Sequence, residues 1–417
     1  MKKNFTTGLL SGVCCSILLF AIIGTLYVMA DGKANENDRN NNVRLEAEEN
    51  GQATLKNEDF DQIVDKLTFL EMLVDNYYLE GVDPKVYADG IYKGFISSLN
   101  DPYSTYYTAE EYKALMESSS GVYRGIGATV SQNVKTGVIT IVKPFKTGPA
   151  YEAGLLPGDI IYMVEGEEAT GVDLTEVVSK MKGEEGTKVR ISILREGETK
   201  PMEFTITRRQ IEVPTIDYQM LEDNIGYIEI SEFDEITVSQ FKEAVDKLEA
   251  KGMKGLVVDV RNNPGGLLEA VCKMLDRLLP KGLLVYTEDK YGNRVEEKAE
   301  DSQMLKVPLA VIINGNSASA SEIFAGAVQD YGIGTIVGTT SFGKGIVQKV
   351  IPLTDGTAVK LTISKYFTPK GRNIHGTGIT PDVEVELNEE LLKEIEIPQK
   401  KDNQLQKAIE VVKEKIK

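Results

Sequence analysis

The stretch NGNSASASEIFAG, residues 314–326, carries Ser317, Ser319 and Ser321 among small residues. It follows an apolar run, VPLAVII, and leads into a helical pattern. A serine at such a strand-to-helix turn is a candidate nucleophile, and a nucleophile needs a base. The chain of 417 residues has one histidine, His375, in the Gly-rich, turn-like GRNIHGTG. Carboxylates are weak bases toward a hydroxyl. A lysine can serve when burial keeps it neutral, because desolvation disfavours the ammonium. Lys344, in TTSFGKGIVQ, sits among small and apolar residues, whereas most other lysines lie in charge-rich stretches. The spacing Ser319-x-x-Glu322 also reads as a capping box, a feature common in non-enzymes. On these residues alone the three serines remain open, and Lys344 is the candidate base.

Composition removes several functions. The net charge is −17 and the pI near 4.8. No excess of Lys and Arg exists to meet phosphates, so nucleic acid is excluded as a partner. Cys14 and Cys15 lie in the apolar N-terminus and Cys272 is alone. Neither a disulfide framework nor a metal-binding spacing follows. With one histidine, no metal and no cofactor are expected.

These chemical groups need elements to position them. Residues 9–30, LLSGVCCSILLFAIIGTLYVMA, carry no charge and follow Lys2 and Lys3. That predicts a membrane-spanning helix with a cytoplasmic N-terminus. Cleavage after Ala30, which would release the chain, is the alternative. Either way the remainder is placed outside the cytoplasm. Residues 31–58 read as a solvated linker. Residues 59–118 read as helical, with Phe60, Ile63, Val64, Leu67, Leu70, Val74 and Tyr77 on one stripe. Asp83-Pro84 starts a second helix, and Thr108 with Glu111 forms a capping box. Residues 119–208 alternate like a small β-rich unit. Residues 209–388 alternate strands and helices, with KGLVVDV and VPLAVII as strands buried on both faces. This predicts an α/β layered core. In 389–417, Leu405, Ala408, Ile409, Val412 and Ile416 share one face of a terminal helix. Such a helix needs a surface, its own chain's or a partner's.

The run GPAYEAGLLPGDIIYMVEGEEATGVDLTEVV resembles a PDZ domain of the bacterial, circularly permuted type. Its carboxylate-binding loop would be YRGIGATV, with Gly125, Ile126 and Gly127 as N–H donors. NSASASEIFAGAVQDYG, GTTSFGKGIVQ, VDVRNNPGG and GRNIHGTGITPDVEV together resemble the carboxy-terminal processing proteases, Ser-Lys peptidases of the S41 family. The resemblance spans about residues 60–417 in order. It implies Ser319 as nucleophile, Lys344 as general base and Gln348 as the residue that orients the lysine. It implies an oxyanion hole from the Ala320 N–H and from Gly265 or Gly266. It also implies an acyl-enzyme, cleavage near substrate C-termini and a homodimer through the terminal regions.

Two other readings compete. A non-catalytic PDZ scaffold would tolerate a degraded site, but Ser319, Lys344 and Gln348 are all present. A penicillin-binding-type acyltransferase is raised by Ser341-x-x-Lys344. However, the K-T-G at Lys146–Gly148 precedes it, no S-D-N occurs, and Ser341 lies in a β-like context.

Overall fold

The computed structural model describes residues 57–300, 304–393 and 397–416. The expected span at 9–30 and nearly all of the linker lie outside the described residues. No helix among the described residues is long and apolar enough to cross a membrane.

The chain divides at Asn100. Before it, helices Asn57–Tyr77 and Pro84–Ser97 form as the stripe and the Asp-Pro start predict. Asp83 caps the second by accepting the Lys85 N–H at 3.0 Å, with Pro84 where its missing N–H costs nothing. Phe60, Ile63, Val64 and Leu70 of the stripe are exposed.

After Asn100 the β-rich unit comes first. Its sheet runs in the order Ala128–Gln132, Ile139–Pro144, Ile160–Val164, Lys188–Leu194, Met202–Thr207, each pair antiparallel. Alternation drives it: Val189, Ile191 and Ile193 point inward to a core that includes Ile139, Ile141 and Ile161. The helix Leu174–Met181, capped by Asp173, adds Val177 and Met181 to that core.

The α/β unit is built on a sheet ordered Ile216–Met220, Ile225–Ile230, Gly255–Asp259, Leu309–Ile313, Gly334–Gly338, Val383–Glu384. The first pair is antiparallel and the rest are parallel. Gly255–Asp259 and Leu309–Ile313 are buried at every position, as uninterrupted apolar runs require. Helices Glu235–Ala250, Leu268–Asp276 and Ala320–Tyr331 cover one face. The C-terminal helix Asn403–Lys415 covers the other, setting Leu405, Ala408 and Val412 against Val257, Ala310 and Ile312. Leu405 and Val412, fully buried, are each worth roughly 1.5–3 kcal/mol. Gly255 permits the approach, since a Cβ there would lie 2.3 Å from Val412. The terminal helix thus covers its own chain's sheet, and its apolar face is not available to a second copy.

An ionic clamp fixes that helix. Asp402, its N-cap, receives Arg261 through both oxygens at 2.7 and 3.2 Å. Arg261 also holds Asp259, which accepts the Tyr227 hydroxyl at 2.9 Å. A second, antiparallel sheet joins Thr105–Tyr107, Ala358–Phe367, Gly282–Asp289 and Arg294–Ala299, with Ile346–Pro352 also paired to Ala358–Phe367.

Candidate active site

Ser319 caps the helix Ala320–Tyr331 with φ 55° and ψ −113°. A non-glycine residue there costs about 1–3 kcal/mol unless its surroundings impose the conformation. They do so from several sides. The Ser319 N–H donates to Glu322 Oε2 at 2.8 Å, and its carbonyl accepts the Tyr366 hydroxyl at 3.1 Å. The neighbouring serines are spent on structure. Ser317 Oγ donates to the Val260 carbonyl at 2.8 Å and Ser321 Oγ to the Asn263 carbonyl at 2.9 Å. Both are wholly buried, whereas Ser319 is partly exposed.

Glu322 is more than a cap. Its wholly buried carboxylate accepts the Ser319 N–H, the Ser341 hydroxyl at 2.6 Å, the Gly343 N–H at 2.7 Å and the Lys344 N–H at 2.8 Å. Burial pushes its pKa up against the pull of those bonds. Through this one side chain the Ser319 turn and the Lys344 turn are tied together. The capping-box spacing of the sequence is real, but the carboxylate reaches a second segment that the spacing does not reveal.

Burial pushes the Lys344 amine down to about 8, against the opposing charges of Glu322 and Asp101. Its Nζ lies 4.7 Å from the centre of the Tyr103 ring. Gln348 is buried just after a register shift in its strand, and its Nε2 reaches Thr362 Oγ1 at 3.3 Å. A shift of this kind re-aims a side chain. Thr362 also bears on Asp101, whose pKa is lowered. Burial alone would raise it, but hydrogen bonds from Ser104, Thr362 and the Tyr103 N–H prevail. Sequence reasoning missed Lys360. It is 4% exposed, and burial together with the Lys344 charge pushes it to about 8. The alternation in AVKLTISKYF, which sets Lys360 on the same face as buried Ala358 and Tyr366, was the available signal. His375 is exposed, and its main chain and Cβ close on Gly345.

Gly265, which lies against Ser319, and Gly266, which lies against Phe233, have φ +110° and +144°. A Cβ on Gly265 would sit 2.8 Å from Ser319 Cβ and 2.9 Å from the Ala320 nitrogen. A Cβ on Gly266 would sit 2.4 Å from the Phe233 carbonyl oxygen. Only glycine fits either place. Ser319, Ala320, Gly265, Gly266 and Lys344 therefore meet in one locality, with Gln348 on the strand that follows Lys344.

In the β-rich unit, Gly125 ends a strand paired to Arg209, Ile126 is buried, and Gly127 has φ +77°. The Gly127 and Ala128 N–H groups face the Tyr123 hydroxyl, which burial pushes up to about 12. Ala128 joins the expected loop donors, and Gly125 is already engaged in strand pairing. Beside the loop is a cavity of about 250 Å³ lined by Ile126, Val130, Val178 and Met181, with Glu232 and Asp234 at one wall. Burial pushes both of these carboxyls up; Glu232 raises Asp234 further, whereas the hydrogen bond with Asp234 pulls Glu232 the other way.

The peptidase family S41 pattern matches residues 224–385, and a PDZ domain pattern matches residues 141–195. A third, the N-terminal domain of the activating protease CtpB, matches residues 18–111. The Bacillus subtilis carboxy-terminal processing protease CtpA is 40% identical over 318 residues, 76% of this chain and 67% of that protein. Its homologue CtpB from the same organism is 39% identical, over 78% and 68% respectively. The chain belongs to the carboxy-terminal processing proteases of family S41. A solved S41 protease structure from Bacteroides fragilis, 17% identical, shares the fold with a TM-score of 0.52 over 77% of this chain and 90% of that one. Like its family, this protease is a serine-type peptidase with a PDZ domain.

Proposed function

We propose that Ser319 is the nucleophile and Lys344 its general base in hydrolysis of peptide bonds near substrate C-termini. One observation carries the reading. Of the three serines, only Ser319 is not consumed by a main-chain carbonyl, and its N–H shares the Glu322 carboxylate with that of Lys344. With its amine near 8, Lys344 is partly neutral at ordinary pH and able to take the hydroxyl proton. Ser319 Oγ adds to the peptide carbonyl. The oxyanion meets the Ala320 N–H at the helix N-terminus, where the dipole favours negative charge. Lys344 returns the proton to the leaving amine, and water then hydrolyses the acyl-enzyme. Gln348 helps to orient the amine.

In the same reading the apolar cavity beside Gly127 takes the substrate's C-terminal residues, and the loop N–H groups take its carboxylate. The catalytic part works outside the cytoplasm, held at the membrane through residues 9–30. A homodimer would use the exposed stripe of the helix Asn57–Tyr77. Light scattering of residues 44–417 that finds only monomer at micromolar concentration would remove that last element.

The central test is Ser319→Ala. Hydrolysis should vanish while thermal melting stays close to wild type. Full activity in that variant would move the nucleophile to another residue.

A further inference from the structure

Asn263 is wholly buried between the strand Gly255–Asp259 and the glycine turn. Both ends of its amide are used. Oδ1 accepts the Gly265 N–H at 2.8 Å, and Nδ2 donates to the Ile230 carbonyl at 2.8 Å. Its main-chain carbonyl accepts from both sides of Ser319: the Ala318 N–H at 3.0 Å and the Ser321 hydroxyl at 2.9 Å. One residue therefore joins the glycine turn to the nucleophile turn.

These bonds also sort the two glycine N–H groups. That of Gly265 is already committed to Asn263. The Gly265 carbonyl accepts the Phe233 N–H at 3.0 Å. In a trans peptide the C=O and N–H point to opposite sides. The Gly266 N–H, at the other end of that peptide, therefore points away from Phe233. Ser319 and Ala320 lie close against Gly265, as the 2.8 and 2.9 Å approaches of a Cβ built there record.

We propose that Asn263 is a positioning residue for the peptidase reaction. By holding the Gly265 N–H, it presents the Gly266 N–H to the oxyanion beside that of Ala320, and it sets the distance from that donor to Ser319. This rests on Ser319 being the nucleophile. As Ser319 Oγ bonds to the carbonyl carbon, the π pair moves onto the carbonyl oxygen and the serine proton goes to Lys344. The Gly266 and Ala320 N–H groups meet the new negative charge. When the C–N bond breaks, the pair returns and the amine leaves with the proton from Lys344.

The test is kinetics on a fluorogenic peptide with the full chain, beside thermal melting. Asn263→Ala should lower kcat about 10²–10³-fold, the loss typical of a misplaced oxyanion donor, with KM within about threefold. Asn263→Asp is the sharper variant. The bonded neighbours of Asn263 are main-chain groups and the Ser321 hydroxyl, with no cation among them. A carboxyl placed there is favoured in its protonated form, whose O–H replaces Nδ2–H toward Ile230 while its C=O still takes the Gly265 N–H. Its activity should then fall as the carboxyl ionises, turning the single rising limb of the wild type into a bell. The rising side belongs to Lys344, among Glu322, Asp101 and Lys360. A purely structural role would give no bell. Wild-type kcat in Asn263→Ala, or an unchanged rising limb in Asn263→Asp, overturns the proposal. Ser319→Ala run in parallel separates the two ideas. If it still cleaves, the nucleophile is misassigned; if it is dead while the Asn263 variants are fully active, only the role of Asn263 fails.

Should the Asn263 variants not fold, the wild type decides. Gly265-Gly266 is the one Gly-Gly pair in the chain. Carbonyl-¹³C and amide-¹⁵N glycine labelling therefore isolates the Gly266 amide signal, and labelled proline carbonyl selects Gly265 and Gly158, the two glycines that follow a proline, which the loss of one signal in Gly158→Asn tells apart. A peptide boronate bonded to Ser319 should move the Gly266 amide and leave Gly265 nearly still. A response from Gly265 alone overturns the proposal.

Discussion

In the function proposed above, two glycine loops offer main-chain N–H groups to oxygen, and they are held in different ways. The Asn263–Gly266 turn is braced at each peptide: Asn263 holds the Gly265 N–H, and Phe233 holds the Gly265 carbonyl while donating no freedom to its neighbour. In the Gly125–Gly127 loop Gly125 is engaged in strand pairing, while the carbonyls of Ile126 and Gly127 accept the Ala150 N–H at 2.7 Å and the Phe145 N–H at 2.9 Å and leave the N–H groups of the turn to face outward. Its outward N–H groups face a tyrosine hydroxyl. A donor that must stabilise a transient charge is fixed before substrate arrives, since any reorganisation at that moment adds to the barrier. A donor that recognises a stable carboxylate can be covered by a side chain that yields. The first loop should control kcat and the second KM.

The hardest break falls on the catalytic side. Lys344→Ala should cut kcat by about 10⁴-fold, at the upper end of what a positioned base contributes, and Lys344→Arg should do no better because a guanidinium stays charged. Steady-state rates near pH 9 check both. His375→Gln, by contrast, should keep the ionisation that governs the rate.

Next come the loops themselves. Gly265→Ala drives a methyl onto Ser319 and Ala320 and should lower kcat about 10²-fold or more. Gly127→Ala, also at positive φ, should chiefly raise KM for C-terminal peptides, by about tenfold. Equal kcat losses in the two variants would abolish the distinction between them.

The pH profile sharpens the catalytic half. A lysine base works only when neutral, so the role proposed for Lys344 requires the rate to rise with pH along one ionisation near 8. Lys360 and Lys344 repel when both are charged. Lys360→Met should therefore let Lys344 hold its proton longer and move the limb to higher pH. Glu322→Gln removes a charge that favours the ammonium and should move it lower.

The smallest effect belongs to the recognition side. Asp234 is raised by burial and by Glu232, so the folded state keeps a proton that the unfolded chain releases above about pH 4. Stability from this group therefore falls as pH rises from there through the raised value. Asp234→Asn, which still caps its helix, should raise the melting temperature by about 2 °C at pH 9 and leave it unchanged at pH 5. An equal shift at both pH values would show that the proton is not the cause.

Much of this was legible in the residues because it depends on local pattern. Uninterrupted apolar runs gave the central strands, and the Asp83-Pro84 and Thr108/Glu111 signals gave helix starts. Lys344 stood out by its apolar surroundings, and the structure explains why that matters, since burial is what lowers its pKa. Contacts between distant segments were not legible. Ser319 separates from Ser317 and Ser321 only because Val260 and Asn263, more than fifty positions earlier, supply carbonyls to the other two. The surface under the terminal helix was likewise undecided, because an amphipathic stripe says that something covers it and not what. The Asp402–Arg261 clamp and Gly255 supply the answer.

The sharing of Glu322 has a mechanical consequence. Ser319 and Lys344 belong to different stretches of chain, and an error in their spacing would ordinarily accumulate along everything between them. Here both main chains are fastened to one carboxylate, itself on the first turn of the helix that Ser319 begins. A shift of that helix within the core carries the Ser319 and Lys344 turns together, as parts referred to a common datum move together. The tolerance that proton transfer requires is thereby set over one side chain rather than over the whole stretch of chain between Glu322 and Lys344.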